Sequence, residues 1–252
     1  KDTVYDQQPL IDLLNMRAGD SHTIDRENSH YVMGSSKHHR DMGLDTIASL
    51  LRDTEKKGRP LFYNNFLADV LANYAVFKSG PDYDLLMKKV FQDKVKIANQ
   101  VSYERHQKTL TDGKKSQFYG SNQTLASYSY FMTRLDFLRV ALAMMDDYQN
   151  DTCVGQYLKE IQRRAEPWYQ NRNTSENAKL WINNYAKEYG GQFYLSFRGM
   201  ERRNVFGTEG YNGQNMLIDM DNSRIIVTNS AATAWDTKRL MLDVARKGKL
   251  PK

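Results

Sequence analysis

The sequence predicts an α+β chain, with helices grouped first and an antiparallel sheet flanked by helices after them. Three observations carry this expectation. Apolar residues recur at helical spacing in several segments ahead of residue 189. Short apolar runs bounded by glycines or by Asp221-Asn222 occupy residues 192–228. A last helical segment spans residues 231–245. Strands collected in one part of a chain, rather than alternating with helices, favour α+β over α/β.

Residues 9–16 read as a short helix opened by Pro9. Leu10, Leu13 and Leu14 share a face, and Arg17-Ala18-Gly19-Asp20 supplies a glycine stop. A polar loop rich in Ser, His, Asp and Arg follows, then a helix over 44–51 that ends near Lys56-Lys57-Gly58. Residues 60–65 form an extended lead into a helix over 66–77, which Ser79-Gly80-Pro81 breaks. Asp82 is placed to cap a helix over 83–90. Residues 92–128 are polar with weak periodicity and receive no assignment.

A strong helix is expected over 133–145, burying Leu135, Leu138, Ala141 and Leu142. Helices over 154–164 and 175–188 follow. Gly190-Gly191 then separates the helices from strands over 192–197, near Val205, over 214–220 and over 224–228. Asp221-Asn222 turns the chain between the last two strands. Only three or four strands are visible, so the sheet reads as incomplete. The expected organisation is a mainly helical region over 1–190 and strands plus a closing helix over 191–252, within one domain overall.

A chain of 252 residues with 40% hydrophobic content can bury one large core. No apolar run approaches a membrane span, and Lys1 to Asp6 hold no signal-peptide-like stretch. Cys153 is the single cysteine, so neither an intrachain disulfide nor a cysteine zinc site can form. The net charge of +6 is dispersed over Lys37-His38-His39-Arg40, Arg202-Arg203 and Arg246-Lys247-Gly248-Lys249. Without a basic stripe interleaved with aromatics, a nucleic-acid partner is not expected. His22, His30, His38 and His39 lie with Asp20, Asp25 and Asp41 in one polar segment. They lack the i, i+4 pair of a helical metal site and read as a solvated loop. Neither a Gly-x-Ser-x-Gly elbow nor a phosphate-binding glycine loop occurs.

The richest segment is Phe206-Gly207-Thr208-Glu209-Gly210-Tyr211-Asn212-Gly213-Gln214, which runs into a mostly apolar strand. Two readings stand side by side. One is a hairpin with a bulge. The other is a strand whose free N–H groups border a cleft and stabilise an oxyanion. Elsewhere, Phe62-Tyr63-Asn64-Asn65 puts a tyrosine and an asparagine two residues apart at a helix start. Taken alone, Tyr63 is a core tyrosine or an acid–base group. Tyr128 and Tyr130 read as core or cleft lining, with substrate contact open to them.

In order along the chain, three landmarks resemble the serine β-lactamase-like hydrolases, in the branch holding class C β-lactamases, carboxylesterases and 6-aminohexanoate-dimer hydrolases. They are the helix and turn Leu10 to Gly19, a Tyr-x-Asn box at Tyr63 and Asn65, and a third box at Thr208 to Gln214 with the strand to Asp219. Tyr189 to Leu195 resembles the strand that precedes that box.

The resemblance implies a β-lactamase/transpeptidase-like fold and a serine hydrolase that cleaves a small-molecule ester or amide through an acyl-enzyme. It implies no cofactor and a periplasmic or secreted location. Tyr63 would share acid–base work with a lysine, which requires a neighbouring cation to lower its phenol. Asn65 would orient substrate, and the Tyr211 N–H would face the oxyanion. Thr208, Gly210, Asn212, Tyr128 and Tyr130 would line the substrate site.

Two departures stand out. Thr208 occupies the place where the family carries Lys or His. No Ser-x-x-Lys occurs in the 252 residues, although Thr54 with Lys57 and Thr111 with Lys114 have that spacing in polar surroundings. The expectation is therefore that the nucleophile, its lysine and the first strands come from a companion segment or chain outside these residues. The alternative is a non-catalytic ligand-binding protein of the same fold.

Overall fold

The computed structural model describes residues 7–17, 61, 63, 65–99, 101–103, 105–107, 122–124, 130–168, 180–210, 213–230 and 236–248. The chain divides into two compact units, Lys1–Lys94 with Asn99–Met132, and Val95–Ala98 with Thr133–Lys252.

In the first unit, helix α1 (Leu10–Leu14) starts after Pro9 and buries Leu13. It ends through Asn15, whose N–H bonds the Ile11 carbonyl at 2.9 Å, and through Met16, which turns to φ 57°. The stop therefore precedes the expected Gly19, which lies outside the described residues. Helix α2 (Asn65–Ser79) buries Leu67 completely. Gly80, at φ 61°, and Pro81 break it as expected, and a 3-10 turn, Gly80–Asp82, connects to helix α3 (Tyr83–Lys88). Asp82 holds the N-cap position of α3, but its side chain makes no capping bond, which corrects the expected cap. The reason lies upstream, since the 3-10 turn already orders that bend.

A wide π-type turn, Lys89–Lys94, extends α3 beyond the expected end at Val90. The unassigned stretch contains two short ladders. Strand β1 (Ser102–Tyr103) and strand β2 (Arg105–Gln107) are followed by β3 (Asn122–Thr124) and β4 (Tyr130–Phe131). Strand β1 pairs with β4, and β2 with β3, both antiparallel. The predicted helix over 44–51 lies outside the described residues.

The second unit opens on helix α4 (Arg134–Gln149), longer than expected. The Thr133 hydroxyl accepts from the Asp136 N–H at 3.1 Å and donates to the Asp136 carboxylate at 3.0 Å. Asp136 is fully buried and also accepts from the Ala98 N–H and from Arg139, each at 2.7 Å. One carboxylate thus starts the helix and ties Val95–Ala98 to this unit.

Ala141 is buried as expected, Leu138 is half-buried, but Leu135 and Leu142 are 64% and 46% exposed. The buried positions of α4 are Asp136, Ala141 and Asp147. Two carboxylates that bind local donors, not the leucines, set the inward face. Asp147 accepts from the Thr152 hydroxyl at 2.6 Å. Thr152 in turn caps helix α5 (Cys153–Arg163), accepting from the Gly155 N–H at 3.2 Å. Leu158 and Ile161 are the buried apolar residues of α5.

The sheet has six antiparallel strands rather than three or four. They are β5 (Glu166–Pro167), β6 (Ala186–Gly190), β7 (Phe193–Phe197), β8 (Val205–Gly210), β9 (Gln214–Asp219) and β10 (Arg224–Thr228). Each pairs with the next in a simple meander. The helix expected over 175–188 is corrected within its described part. Ile182–Tyr185 is a 3-10 turn, and Ala186–Gly190 is a strand. The aromatic residues explain why. Tyr189 stacks on Trp168 at 5.2 Å and meets Tyr194 edge-on at 5.3 Å, a cross-strand cluster that a helix could not assemble.

Gly190-Gly191 is not a boundary between helices and strands either. Gly190 pairs with Phe193, and Gly191 and Gln192 take φ 57° and 72°, the two positive values of a tight hairpin.

Central strands β8 and β9 are covered on both faces. Phe206 meets Tyr148 of α4 at 5.9 Å and Phe193 at 5.5 Å. On the other face Arg203 binds Asp219 at 3.2 Å and the Ala245 carbonyl at 3.1 Å, and Arg224 reaches the same carbonyl at 2.9 Å. Those contacts hold the closing segment, a π-type turn Lys238–Asp243 that continues into helix α6 (Val244–Lys247). The closing helix was expected over 231–245; its first five positions lie outside the described residues.

Gly155 tests the α4–α5 packing. A Cβ there would stand 1.9 Å from the Asp147 carbonyl oxygen, which is backbone and cannot swing away. Gly155→Ala is expected to destabilise the protein by about 3 kcal/mol, measured by urea unfolding. A loss under about 0.5 kcal/mol, the level of an ordinary surface change, would show that the helices can separate freely.

Candidate functional site

Strand β8 and strand β9 meet in a hairpin at the third-box segment. Thr208 pairs with Met216, Glu209 with Asn215, and Gly210 with Gln214. The ladder ends with Gly210 opposite Gln214, and Gly213 takes φ 83°. The Gly213 N–H bonds the Gly210 carbonyl at 3.1 Å. A three-residue hairpin needs a left-handed residue at its end, and glycine supplies it without strain. The hairpin reading of the glycines is thus the observed local structure. Thr228 of β10 braces it, donating to the Gly213 carbonyl at 2.9 Å, and the Gln214 amide donates to the Ser230 carbonyl.

Strand alternation sorts the box onto two faces. Thr208 and Gly210 share the face of Phe206, the side on which α4 packs. Glu209 and its cross-strand neighbour Asn215 point to the other face, the side on which Asp219 meets Arg203. The box residues are therefore not one cluster.

Glu209 is partly buried and accepts from the Asn183 N–H at 2.9 Å. Burial pushes its carboxyl up to about 7, and the N–H groups of Asn183 and Ile182 pull it only partly back. Asn215 is fully buried, with both amide atoms lacking a hydrogen-bond partner. Asn183 is 7% exposed, and its side-chain oxygen also lacks one. Buried amides in this state are uncommon and call for a reason.

The remaining expected residues fall as follows. Tyr63 is 37% exposed, more than a packed core tyrosine, and stands just ahead of α2. Asn65 is the first residue of α2. The Tyr130 hydroxyl shares a hydrogen bond with the Tyr83 hydroxyl at 2.8 Å, so this phenol has a structural partner within the first unit. Tyr128, Tyr211 and Asn212 lie outside the described residues, as do Thr54, Lys57, Thr111, Lys114 and the His22–His39 segment. Tyr63, Asn65 and Tyr130 belong to the first unit, and Thr208 and Gly210 to the second. Within the second unit the hairpin brings Thr208 and Gly210 to one face.

No family model matches the sequence, and no characterised protein matches it either.

Glu209 and Asn215 were not among the expected site residues. A signal was present, since a glutamate inside an apolar strand, one residue before a glycine hairpin, sits where a carboxylate is costly. No helix among the described residues is long and apolar enough to cross a membrane.

Glu209 also sets a pH dependence. Its folded value is raised from 4.5 to about 7, so its neutral form favours the folded state. That contribution is complete below about pH 4.5 and is lost as pH rises through about 7. Glu209→Gln should gain stability relative to the unsubstituted protein by about 3 kcal/mol between those limits, read from urea unfolding at several pH values. A difference between the two proteins that stays constant with pH would show that Glu209 titrates as an exposed carboxyl does.

Proposed function

We propose that this chain forms the cleft of a serine-type acyl hydrolase, acting on a small ester or amide, with the nucleophile supplied from outside these residues. The observation that supports the reading most is the β8–β9 hairpin. It sets Thr208 and Gly210, two residues of the third-box resemblance, on one face of β8 beside the turn at Gly213. The Tyr-x-Asn placement of Tyr63 and Asn65 at the start of α2 is the second support.

In this reading, a serine oxygen attacks the substrate carbonyl carbon and loses its proton to a base. The Tyr211 N–H receives the developing oxyanion charge. The carbon–leaving-group bond then breaks, and Tyr63 passes the proton to the departing alkoxide or amine. Water repeats the sequence on the acyl-enzyme and releases the acid. Thr208, in place of a lysine or histidine, leaves the box without a cation for a substrate carboxylate, which favours neutral acyl substrates.

A second reading, a ligand-binding protein that keeps the cleft without catalysis, rests on the lack of a Ser-x-x-Lys in the 252 residues. Intact mass of the complete gene product after incubation with a fluorophosphonate or penicillin probe separates the two. A covalent adduct supports hydrolysis; reversible binding with no adduct supports the second reading. Given an active protein, Tyr63→Phe should lower kcat by about 100-fold or more while the probe still binds. Undiminished turnover would remove Tyr63 from the chemistry.

A further inference from the structure

Partly buried Glu209 and the buried Asn215 and Asn183 form a polar group that the hydrolytic reading does not use. It sits on the face of the sheet opposite Thr208. Glu209 and Asn215 are directly opposed across the β8–β9 ladder, so their Cβ atoms stand about 5 Å apart. The 3-10 turn Ile182–Tyr185 lies against β8 and donates the Asn183 N–H to the Glu209 carboxyl. Thr237, 1% exposed, fastens the start of that turn by donating to the Leu180 carbonyl at 2.8 Å.

The charged and titratable groups around Glu209 are engaged elsewhere. On β9, Asp219 is paired with Arg203. On β10, Arg224 is bound to the Ala245 carbonyl. Tyr194 of β7, opposite Gly207, packs against Trp168 and Tyr189. Tyr185 of the 3-10 turn carries Lys238 over its ring at 5.7 Å. In the closing segment the Arg239 side chain is exposed, its backbone N–H donates to Asp236, and Asp243 binds Arg246. Burial, not a neighbouring charge, dominates at Glu209.

We infer that Glu209 and Asn215 form a proton-controlled latch that holds the 182–185 turn onto strand β8. With a proton, Glu209 has an O–H to donate, and the Asn215 and Asn183 side-chain oxygens are buried acceptors with no other donor. Without it, a carboxylate that burial disfavours and that has no cation beside it remains under the turn, and lifting the turn to admit more water relieves the cost. Because Glu209 is next to Gly210, release of the turn frees the strand end that carries the hairpin. The latch stands whether or not the chain is a hydrolase.

Hydrogen exchange tests it. In the unsubstituted protein, protection factors of the Ile182 and Asn183 amides should fall at least about tenfold between about pH 5.5 and 8.5, while those of Leu217 and Ile218 in the core ladder hold. In Glu209→Gln the Ile182 and Asn183 values should stay level. The same pH profile in both proteins overturns the latch.

A second measurement does not depend on the variant folding. The side-chain carboxyl carbon of Glu209, followed by NMR in the unsubstituted protein, should titrate near 7. Asn215→Ala should lower that midpoint by about one unit, because the neutral form loses its acceptor. A midpoint near 4.5, or one indifferent to Asn215, overturns the inference.

Discussion

Both faces of the β8–β9 ladder are covered, and the second unit is arranged around that fact. Val205, Phe206, Leu217 and Ile218 are 1% exposed or less. A strand buried on both sides must satisfy its backbone within the sheet, so the ladder runs unbroken from Val205 paired with Asp219 to Gly210 paired with Gln214. The neighbouring elements then have fixed places. Helix α4 takes the Phe206 face, and the closing segment takes the Asp219 face, where Arg203 and Arg224 share one carbonyl of α6. A polar side chain fully buried in such a ladder is cut off from bulk water, which is why Asn215 stands out.

The carboxylates of this unit divide by what meets them. Asp136 and Asp147 are buried, yet each is surrounded by donors from its own cap or loop. Asp219 is buried against Arg203 and also accepts from the Asn222 amide. These groups hold the chain in place at helix starts and turns, where backbone N–H groups are exposed for lack of helical partners. Glu209 has backbone donors but no cation, and the raised carboxyl follows from that difference. The surface pairs are of another kind. Glu160 with Arg163 and Arg164, and Glu201 with Lys187, are held low by cations in open water, where such pairs contribute little to stability.

Local signals in the sequence were legible wherever the backbone alone enforces them. The break after α2 follows from Gly80 and Pro81, the strand Arg224–Thr228 from its apolar run, and the hairpin at Gly213 from glycine's tolerance of positive φ. The reading failed where neighbours decide. Residues 182–188 carry a helical pattern, yet Trp168 and Tyr194 draw Tyr189 into a sheet. Leu135 and Leu142 have helical spacing, yet the inward face of α4 is set by Asp136 and Asp147, whose partners come from the 95–98 segment and the α5 cap.

The sequence by itself determined the α+β class, the order of most elements and the glycine turn beside Thr208, because turn geometry and hydrophobic period are properties of short segments. It also determined that no Ser-x-x-Lys lies within these residues. Tertiary structure alone decided that the sheet has six strands, that Thr208 and Glu209 face opposite sides of it, and that Glu209 lies against Asn215 and the 182–185 turn. Such pairings join residues far apart in the chain, and burial, the cause of the shifted carboxyl, has no meaning until those residues have met.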